Sequence, residues 1–290
     1  MSETHKMESP TEGPDGPPKR PNIARSALAI FLPAFVLTLV LTAALLLSSH
    51  SAEMTVRRAE QRFVVALQAE SMIHGIAEVF SDLAILVDES ETDRLWDDEG
   101  KMTPEGIADL TQEYMSLLMH RGLYDQVRLI DENGMEIVRV NFNEGRPAIV
   151  PQGELQNKRG RYYFDDAFRL GRGEVFVSPL DLNIEHGEIE QPLKPMIRFA
   201  TPVFDRRGEK RGILLLNYFG ATLLAPFVGR ADPSKGGRAM LLNADGYWLH
   251  GPNPDDEWGF MYEDRSDRTF AAAYPEAWER IGSEESSQFE

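Results

Sequence analysis

Apolar residues form one uninterrupted run near the N-terminus, and this run predicts a membrane span. Residues 27–49 contain no charged side chain. A helix of this length, rising about 1.5 Å per residue, crosses a hydrocarbon core of about 30 Å. Lys19, Arg20 and Arg25 stand just before the run, whereas Glu53 follows it. The positive-inside tendency therefore predicts a cytoplasmic N-terminus. The alternative, a cleaved signal peptide, normally has a shorter apolar core.

The segments on either side of the span differ in character. Residues 1–26 are rich in proline, glycine and charge, so we expect a disordered cytoplasmic tail. Residues 53–89 contain no proline and a single glycine, and they predict a helix of about 35 residues. Apolar residues recur along that helix at steps of three, four or seven: Phe63, Ala66, Ile73, Ile76, Phe80, Leu83 and Val87. This stripe either packs on the following domain or pairs with a second copy of the chain, and we expect both uses, including a homodimer.

Farther along, the period of the apolar positions changes from helical to alternating. Pro104–Met119 keeps helical spacing, with Thr103 as the expected N-cap. After Gly122, Val127–Ile130 and Met135–Phe142 are rich in β-branched and aromatic residues, and the turn residues between them predict a hairpin. A short helix is expected at Tyr162–Leu170 and a final one at Phe270–Ile281. Further strands are expected at Glu174–Ser178, Met196–Phe204 and Gly212–Tyr218.

This order of elements predicts an α+β fold with an antiparallel sheet and helices segregated by side. One phrase occurs twice: LIDENG at residues 129–134 and LLNADG at residues 241–246. Two tandem domains that each begin with the same hairpin would explain the repeat. A chance recurrence of a common hairpin signature would explain it equally well.

The amino-acid composition excludes several classes of function. The 290 residues include no cysteine, which excludes thiolate catalysis and cysteine-bound zinc, and 42% hydrophobic residues suffice for one or two cores. The segment before the span is neutral, so the net charge of −17 falls on residues 50–290. An acidic domain lacks the cationic stripe that displaces counterions from phosphates, so no nucleic-acid partner is expected.

The sequence resembles the double Cache, PAS-like sensor domains of bacterial membrane receptors, above all those of sensor histidine kinases. The resemblance lies in RYYFDDAFRLGRGEVFVSPLDLN (161–183), KPMIRFATPVFD (194–205) and RGILLLNY (211–218). It implies a long helix and membrane-distal domain over residues 50–228, an incomplete membrane-proximal domain over 229–290, and an extracytoplasmic position in a bacterial inner membrane. The family architecture would continue into an output domain, so the chain is expected to be a fragment.

Polar residues on apolar strand faces are the candidate binding residues. Alternation places Arg198 and Asn217 among apolar side chains, where a guanidinium suits the carboxylate of a ligand or of a protein neighbour such as Asp181. Members of the resembled family that bind amino acids imply further contacts at Arg161, Tyr163 and Asp181. Tyrosine stands here in place of the family's tryptophan, and the arginine is displaced by one position. A small carboxylate or another metabolite is therefore the expected ligand.

The strong catalytic signatures are missing from the sequence, including a nucleotide-binding glycine loop with lysine and an HExxH helix. We therefore expect no catalytic residue, metal or cofactor in this chain, although the resemblance implies a histidine kinase as the whole protein. The leading hypothesis is a ligand sensor that signals through the long helix to the membrane. The alternatives are the input region of a diguanylate cyclase or other receptor, and a membrane-anchored assembly module without a ligand.

Overall fold

The computed structural model describes residues 23–91, 94–143, 145–185, 187–228 and 239–283. The chain divides into two compact units, Met1–Arg62 and Phe63–Glu290. Most of the predicted cytoplasmic tail, residues 1–22, lies outside the described residues.

The first unit is described as part of helix α1, which spans Ile23–Ser90. Its large apolar side chains are exposed, among them Leu28, Phe31, Phe35 and Leu45. Within the described part of the chain, α1 is the one helix long and apolar enough to cross a membrane. A stretch of exposed leucine, valine and phenylalanine side chains is stable only in an apolar surrounding, which agrees with the predicted span.

In the second unit, the predicted stripe of α1 divides into a buried and an exposed part. Leu83 is 1% exposed, and Ile76 and Val87 pack against the same core. By contrast, Phe63 and Ile73 are each 68% exposed. Packing onto the domain is therefore confirmed for one side of the stripe, while the other side remains on the surface.

Helix α2, Pro104–Arg121, confirms the predicted start and its capping. The Thr103 hydroxyl accepts a hydrogen bond from the Gly106 amide at 3.0 Å, which satisfies one of the free donors of the first turn. The helix ends at Gly122, whose φ of 61° is readily adopted by glycine.

The remaining elements of the second unit are antiparallel strands and short helices, and the pairs β6–β7 and β10–β11 are separate from the main sheet. The strands are β1 Tyr124–Asp131, β2 Glu136–Asn143, β3 Arg146–Ile149, β4 Phe176–Val177, β5 Asp181–Leu182, β6 Ile184–Glu185, β7 Glu188–Ile189, β8 Pro195–Phe204, β9 Lys210–Phe219, β10 Leu241–Leu242 and β11 Trp248–His250. The helices are α3 Tyr162–Arg169, α4 Gly220–Leu224, α5 Phe270–Ala273 and α6 Pro275–Ser283. The main sheet has the order β3-β2-β1-β9-β8-β4, with β5 also paired to β8. The predicted α+β fold is confirmed.

The two faces of the main sheet have different partners. Val127 and Leu129 of β1, together with Phe199 and Leu216, belong to a large core cluster with α1 and α2. On the opposite face, Ile130, Ala200 and Ile213 pack with α3. Because alternate residues of a strand point to opposite faces, each central strand contributes to both layers.

Strand β1 carries a β-bulge at Asp125. Tyr124 pairs with Tyr218, but Gln126, two residues later, pairs with Asn217, which directly precedes Tyr218. One extra residue therefore lies in β1 at this point. As a result, Tyr124 and Gln126 face opposite sides of the sheet instead of sharing one.

The repeated phrase corresponds to a single turn geometry. In the β1–β2 hairpin, the Asp131 carboxylate accepts hydrogen bonds from the amides of Asn133 and Met135, and Gly134 has a φ of 82°. Asn243 and Gly246 repeat this turn between β10 and β11. So do Asp97 with Gly100 and Asp205 with Gly208. Since the turn occurs four times in the described part of the chain, its recurrence is explained by local hydrogen bonding of Asp or Asn and does not require a repeated domain.

The segment 239–283 packs against the rest of the second unit. Leu249 and Trp258 form an apolar cluster with Leu182 of β5 and Leu224 of α4. The single helix predicted over Phe270–Ile281 is wrong in one respect, because it is divided between α5 and α6 by Tyr274, which adopts a nonhelical conformation directly before Pro275.

A buried carboxylate connects α1, α2 and β1. Asp82 of α1 is 2% exposed. It accepts a hydrogen bond from Arg121 at 2.5 Å and one from the Tyr124 hydroxyl at 2.6 Å. Burial and the neighbouring Asp82 carboxylate raise the pKa of Tyr124, which keeps its hydroxyl protonated as a donor. The network ties the helix to the sheet at the position of the bulge.

We expect Tyr124→Phe to lower the free energy of unfolding by about 2 kcal/mol, because a buried carboxylate loses one of its two donors. Urea denaturation of the full chain in detergent, followed by tryptophan fluorescence, would measure the change. Tyr247→Phe is the matched control, since it removes a hydroxyl that donates to the exposed carbonyl of Ser266. Equal effects of the two variants would contradict the assigned importance of the network.

Candidate functional site

One row of polar side chains crosses the four central strands on the face covered by α3. Asn141 of β2 pairs with Gln126 of β1, Gln126 with Asn217 of β9, and Asn217 with Arg198 of β8. Directly opposite residues of antiparallel strands point to the same face. We call these four residues the polar row.

Arg198 lies at one end of the polar row, close to side-chain oxygen atoms of three residues. Its Nη1 atom donates to the Asp181 carboxylate at 2.8 Å and to the Tyr162 hydroxyl at 3.4 Å, and its Nη2 atom donates to the Asn183 side chain at 3.5 Å. Burial raises the pKa of Asp181, and the positive charge of Arg198 opposes that shift. For Arg198, burial acts to lower the pKa, but attraction by Asp181 raises it overall.

Aromatic side chains of helix α3 cover this site. Tyr163, Phe164 and Ala167 are buried against the sheet. Ala167 follows the two aromatic residues by four and three positions, which places all three on one side of a helix. The ring centre of Tyr163 lies 5.9 Å from the Arg198 guanidinium carbon, within the range of a cation–π interaction. Tyr162 is half exposed at the edge of the site.

A second charged group lies two residues farther along β1. Glu136 is buried and has three cationic neighbours. Arg128 approaches it to 3.4 Å, Arg139 to 3.2 Å and Lys158 to 3.6 Å. We call these four residues the Glu136 cluster. Burial lowers the pKa of Arg128, and burial together with the charge of Arg128 lowers the pKa of Lys158.

Backbone hydrogen bonds bring Lys158 to this cluster from a loop. The Lys158 amide donates to the Gly134 carbonyl at 2.6 Å, and the Glu136 amide donates to the Gln156 carbonyl at 3.1 Å. A side chain at position 134 would clash with the backbone of Arg159. The glycine of the first hairpin therefore serves both the turn and the close approach of this loop.

Several buried polar atoms of the two groups have no hydrogen-bond partner among the described residues. They are the Nε atoms of Arg128 and Arg139, Oε1 of Glu136, and the Oδ1 atoms of Asn141 and Asn217. Leaving a buried polar atom unsatisfied costs about 1–3 kcal/mol. A sheet face that concentrates such atoms around cations is suited to a polar, negatively charged ligand.

The structure brings together four of the five predicted site residues, Tyr163, Asp181, Arg198 and Asn217. Asp181, Arg198 and Tyr163 form one group, and the alternative prediction that Arg198 pairs with Asp181 is confirmed. Asn217, 2% exposed, lies beside Arg198 in the polar row. Arg161 is the N-cap residue of α3 and is exposed.

Sequence reasoning missed the Glu136 cluster and half of the polar row. The strand β1 alternates Gln126 and Arg128 with Val127 and Leu129, and this pattern is the same signal that led to Arg198. For Lys158 the sequence offers no comparable signal, because a loop residue has no periodicity.

Two clefts lie elsewhere on the second unit. One, of about 410 Å³, is lined by Arg94 and by acidic side chains that include Asp109 and Glu113. The other, of about 210 Å³, lies between α1 and α4 near Tyr218. We favour the α3-covered face as the candidate site because it combines buried cations with unsatisfied polar atoms, whereas Arg94 in the larger cleft pairs with Asp109 in solvent.

The family of the chain follows from its sequence pattern. Residues 78–289 match the family described as the sensor domain of bacterial histidine kinases. The chain belongs to this family. This sensor domain accordingly serves signal transduction, and its family together with the apolar part of α1 is consistent with a membrane-anchored receptor. No curated protein matches the chain.

Solved structures agree with the sensor-domain fold. A domain of a sensory box/GGDEF family protein from Vibrio parahaemolyticus is 23% identical, with a TM-score of 0.64, over 79% of this chain and 84% of that chain. The extracellular domain of a protein described as histidine kinase vpHK1S-Z8 is also 23% identical, with a TM-score of 0.63, over 79% and 80%. The ligand-binding domain of the Campylobacter jejuni chemoreceptor Tlp3, solved with 4-methylisoleucine, is 12% identical, with a TM-score of 0.51, over 68% and 69%.

We expect Asn217→Val to leave the stability of the second unit unchanged or to raise it by about 1 kcal/mol, because the buried amide oxygen has no described partner. Thermal unfolding of the full chain in detergent, followed by circular dichroism, would measure this. The control is Leu215→Asn, on the same strand face, which should destabilise by about 3 kcal/mol through loss of apolar packing and burial of an unpaired amide. A comparable loss in both variants would mean that Asn217 is required for the fold.

Proposed function

We propose that the second unit senses a small carboxylate, which binds at Arg198 beneath α3. The observation that carries this proposal is a buried guanidinium with donor capacity beyond its internal partner. A guanidinium has five N–H groups. The only short described contact is with Asp181, while Tyr162 and Asn183 lie at the long end of the hydrogen-bond range.

Three residues complete the proposed binding group. Tyr163 supplies an aromatic wall beside the guanidinium, and Asn217 supplies an amide on the neighbouring strand. Arg161, at the exposed start of α3, would attract anionic ligands toward the site. The Tlp3 domain, similar in fold, was solved with 4-methylisoleucine, which also carries a carboxylate.

We further propose that α1 carries the signal toward the membrane. Ligand binding on one face of the sheet would favour one of two arrangements of the strands, and the opposite face packs on α1. Such coupling requires that the ligand bind the two arrangements with different affinities. In this proposal the second unit is extracytoplasmic, the N-terminus is cytoplasmic, and the output is a histidine kinase. A cyclase or another output is the alternative.

The proposed division into tandem Cache domains assigns residues 50–228 to a distal domain and 229–290 to a proximal one. Its support is the antiparallel pair β10–β11 followed by α5 and α6, an order similar to that of the first hairpin and its helix. The site lies in the distal part, and Leu249 and Trp258 of the proximal part pack on Leu182, one residue from Asp181.

We expect a small carboxylate to raise the melting temperature of the full chain in detergent by about 5–10 °C at a hundred times its Kd, from a stabilisation of about 2.7 kcal/mol. Arg198→Ala should abolish this shift because the ligand loses its charge partner. Arg169→Ala, which removes an exposed arginine of α3, should retain it. A shift that persists in folded Arg198→Ala would contradict the proposed site.

We also propose that the exposed part of the α1 stripe forms a parallel homodimer contact. The chain contains no cysteine, so Ile73→Cys introduces a single thiol. Because the same position of two parallel helices comes close together, oxidation of membranes should give a disulfide-linked dimer. Gln112→Cys, exposed on α2, should remain monomeric under the same conditions. Equal cross-linking of these two variants would exclude this interface. So would the lack of a cross-linked dimer in both Ile73→Cys and a second variant, Phe63→Cys, at another exposed position of the stripe.

A further inference from the structure

The Glu136 cluster contains more positive than negative charge. Three cationic side chains surround one carboxylate, and all four groups are buried or nearly so. Buried charges without a counterion are strongly unfavourable. Arg128, Arg139 and Lys158 share the single carboxylate of Glu136, so the described contacts of the cluster leave two positive charges without a carboxylate of their own.

The cluster belongs to the same sheet face as Arg198. Arg128 of β1 lies two residues from Gln126, which is connected to Arg198 through Asn217 in the polar row. Arg128 and Arg198 are two strands apart in the sheet, and their positions differ by two residues along the strands. Standard sheet spacings therefore place their Cα atoms about 12 Å apart. Tyr163 interacts electrostatically with both arginines, and its ring centre lies 5.9 Å from the Arg198 guanidinium carbon.

Apart from Glu136, the described hydrogen-bond partners of Arg128 and Lys158 are neutral amides. Gln126 accepts a hydrogen bond from Arg128 but is neutral, and it also accepts one from Asn217 at 3.3 Å. Lys158 donates to Gln156 at 2.6 Å, again a neutral amide. The lowered pKa of Lys158, caused by burial and by Arg128, is consistent with an excess of positive charge.

We infer that the ligand carries two acidic groups, one held at Arg198 and the other at the Glu136 cluster. This inference rests on the proposed function and adds the ligand class. The Cα atoms of Arg128 and Arg198 are about 12 Å apart on one sheet face, and the two guanidinium groups interact electrostatically. Two acidic groups that reach both cations are therefore separated by only a few carbon atoms. A linear dicarboxylic acid with four to six carbons has this chemistry.

The test compares dicarboxylates with ligands of nearly the same shape and one charge fewer. Titration calorimetry of the full chain in detergent would use succinate, glutarate and adipate, each against its monoamide. We expect at least one diacid to bind on the order of tenfold or more tightly than its monoamide, because one charge-assisted contact is lost. In Lys158→Gln this ratio should fall below about threefold. Lys101→Gln, at an exposed lysine, should retain it.

The outcomes separate the inference from the proposed function. Equal affinities for diacid and monoamide, with both lost in Arg198→Gln, would overturn the second acidic group and leave the carboxylate site in place. Binding of neither compound by the folded wild-type chain would overturn both. Since the wild-type comparison needs no variant, a failure of Lys158→Gln to fold would not decide the test, and Arg139→Gln would replace it.

Discussion

The fold depends on holding positive charge inside a domain whose surface is acidic. The chain has a net charge of −17, yet Arg128, Arg139, Lys158 and Arg198 are collected on one face of the main sheet. Charged groups removed from water need close partners. Glu136 and Asp181 supply part of that compensation, and the covering helix α3 and the loop before it are placed around these two carboxylates.

The same sheet has a conventional apolar core on its other face. Val127, Leu129, Phe199 and Leu216 pack with α1 and α2, and burial of this kind supplies most of the stability of a domain. Because this apolar face contributes most of the stability, the fold tolerates unsatisfied polar atoms on the α3 face. Functional sites are where proteins commonly depart from general rules of folding, such as the pairing of every buried polar atom.

Sequence reasoning succeeded where the signal is local. Thr103 and Pro104 identify the start of α2, and Asp131 with Gly134 identifies the first hairpin, because caps and turns depend on neighbouring residues. Alternation along β8 and β9 was sufficient to select Arg198 and Asn217. The strands β5, β6 and β7 have only two residues each, which is too short for a period to be recognised. Lys158 was beyond prediction because long-range backbone bonds position it.

The bulge at Asp125 determines which layers of the domain the neighbouring residues of β1 contact. Because of the extra residue, Tyr124 meets Asp82 of α1 on one side of the sheet, while Gln126 meets Asn217 and Arg128 on the other. Asp125 itself accepts a hydrogen bond from Lys194, next to the start of β8. A twist of β1 about its own axis would therefore displace the helix contact and the polar row together and in opposite directions. A strand with unbroken alternation would place positions 124 and 126 on one side, and these two residues could not then contact α1 and the polar row at the same time.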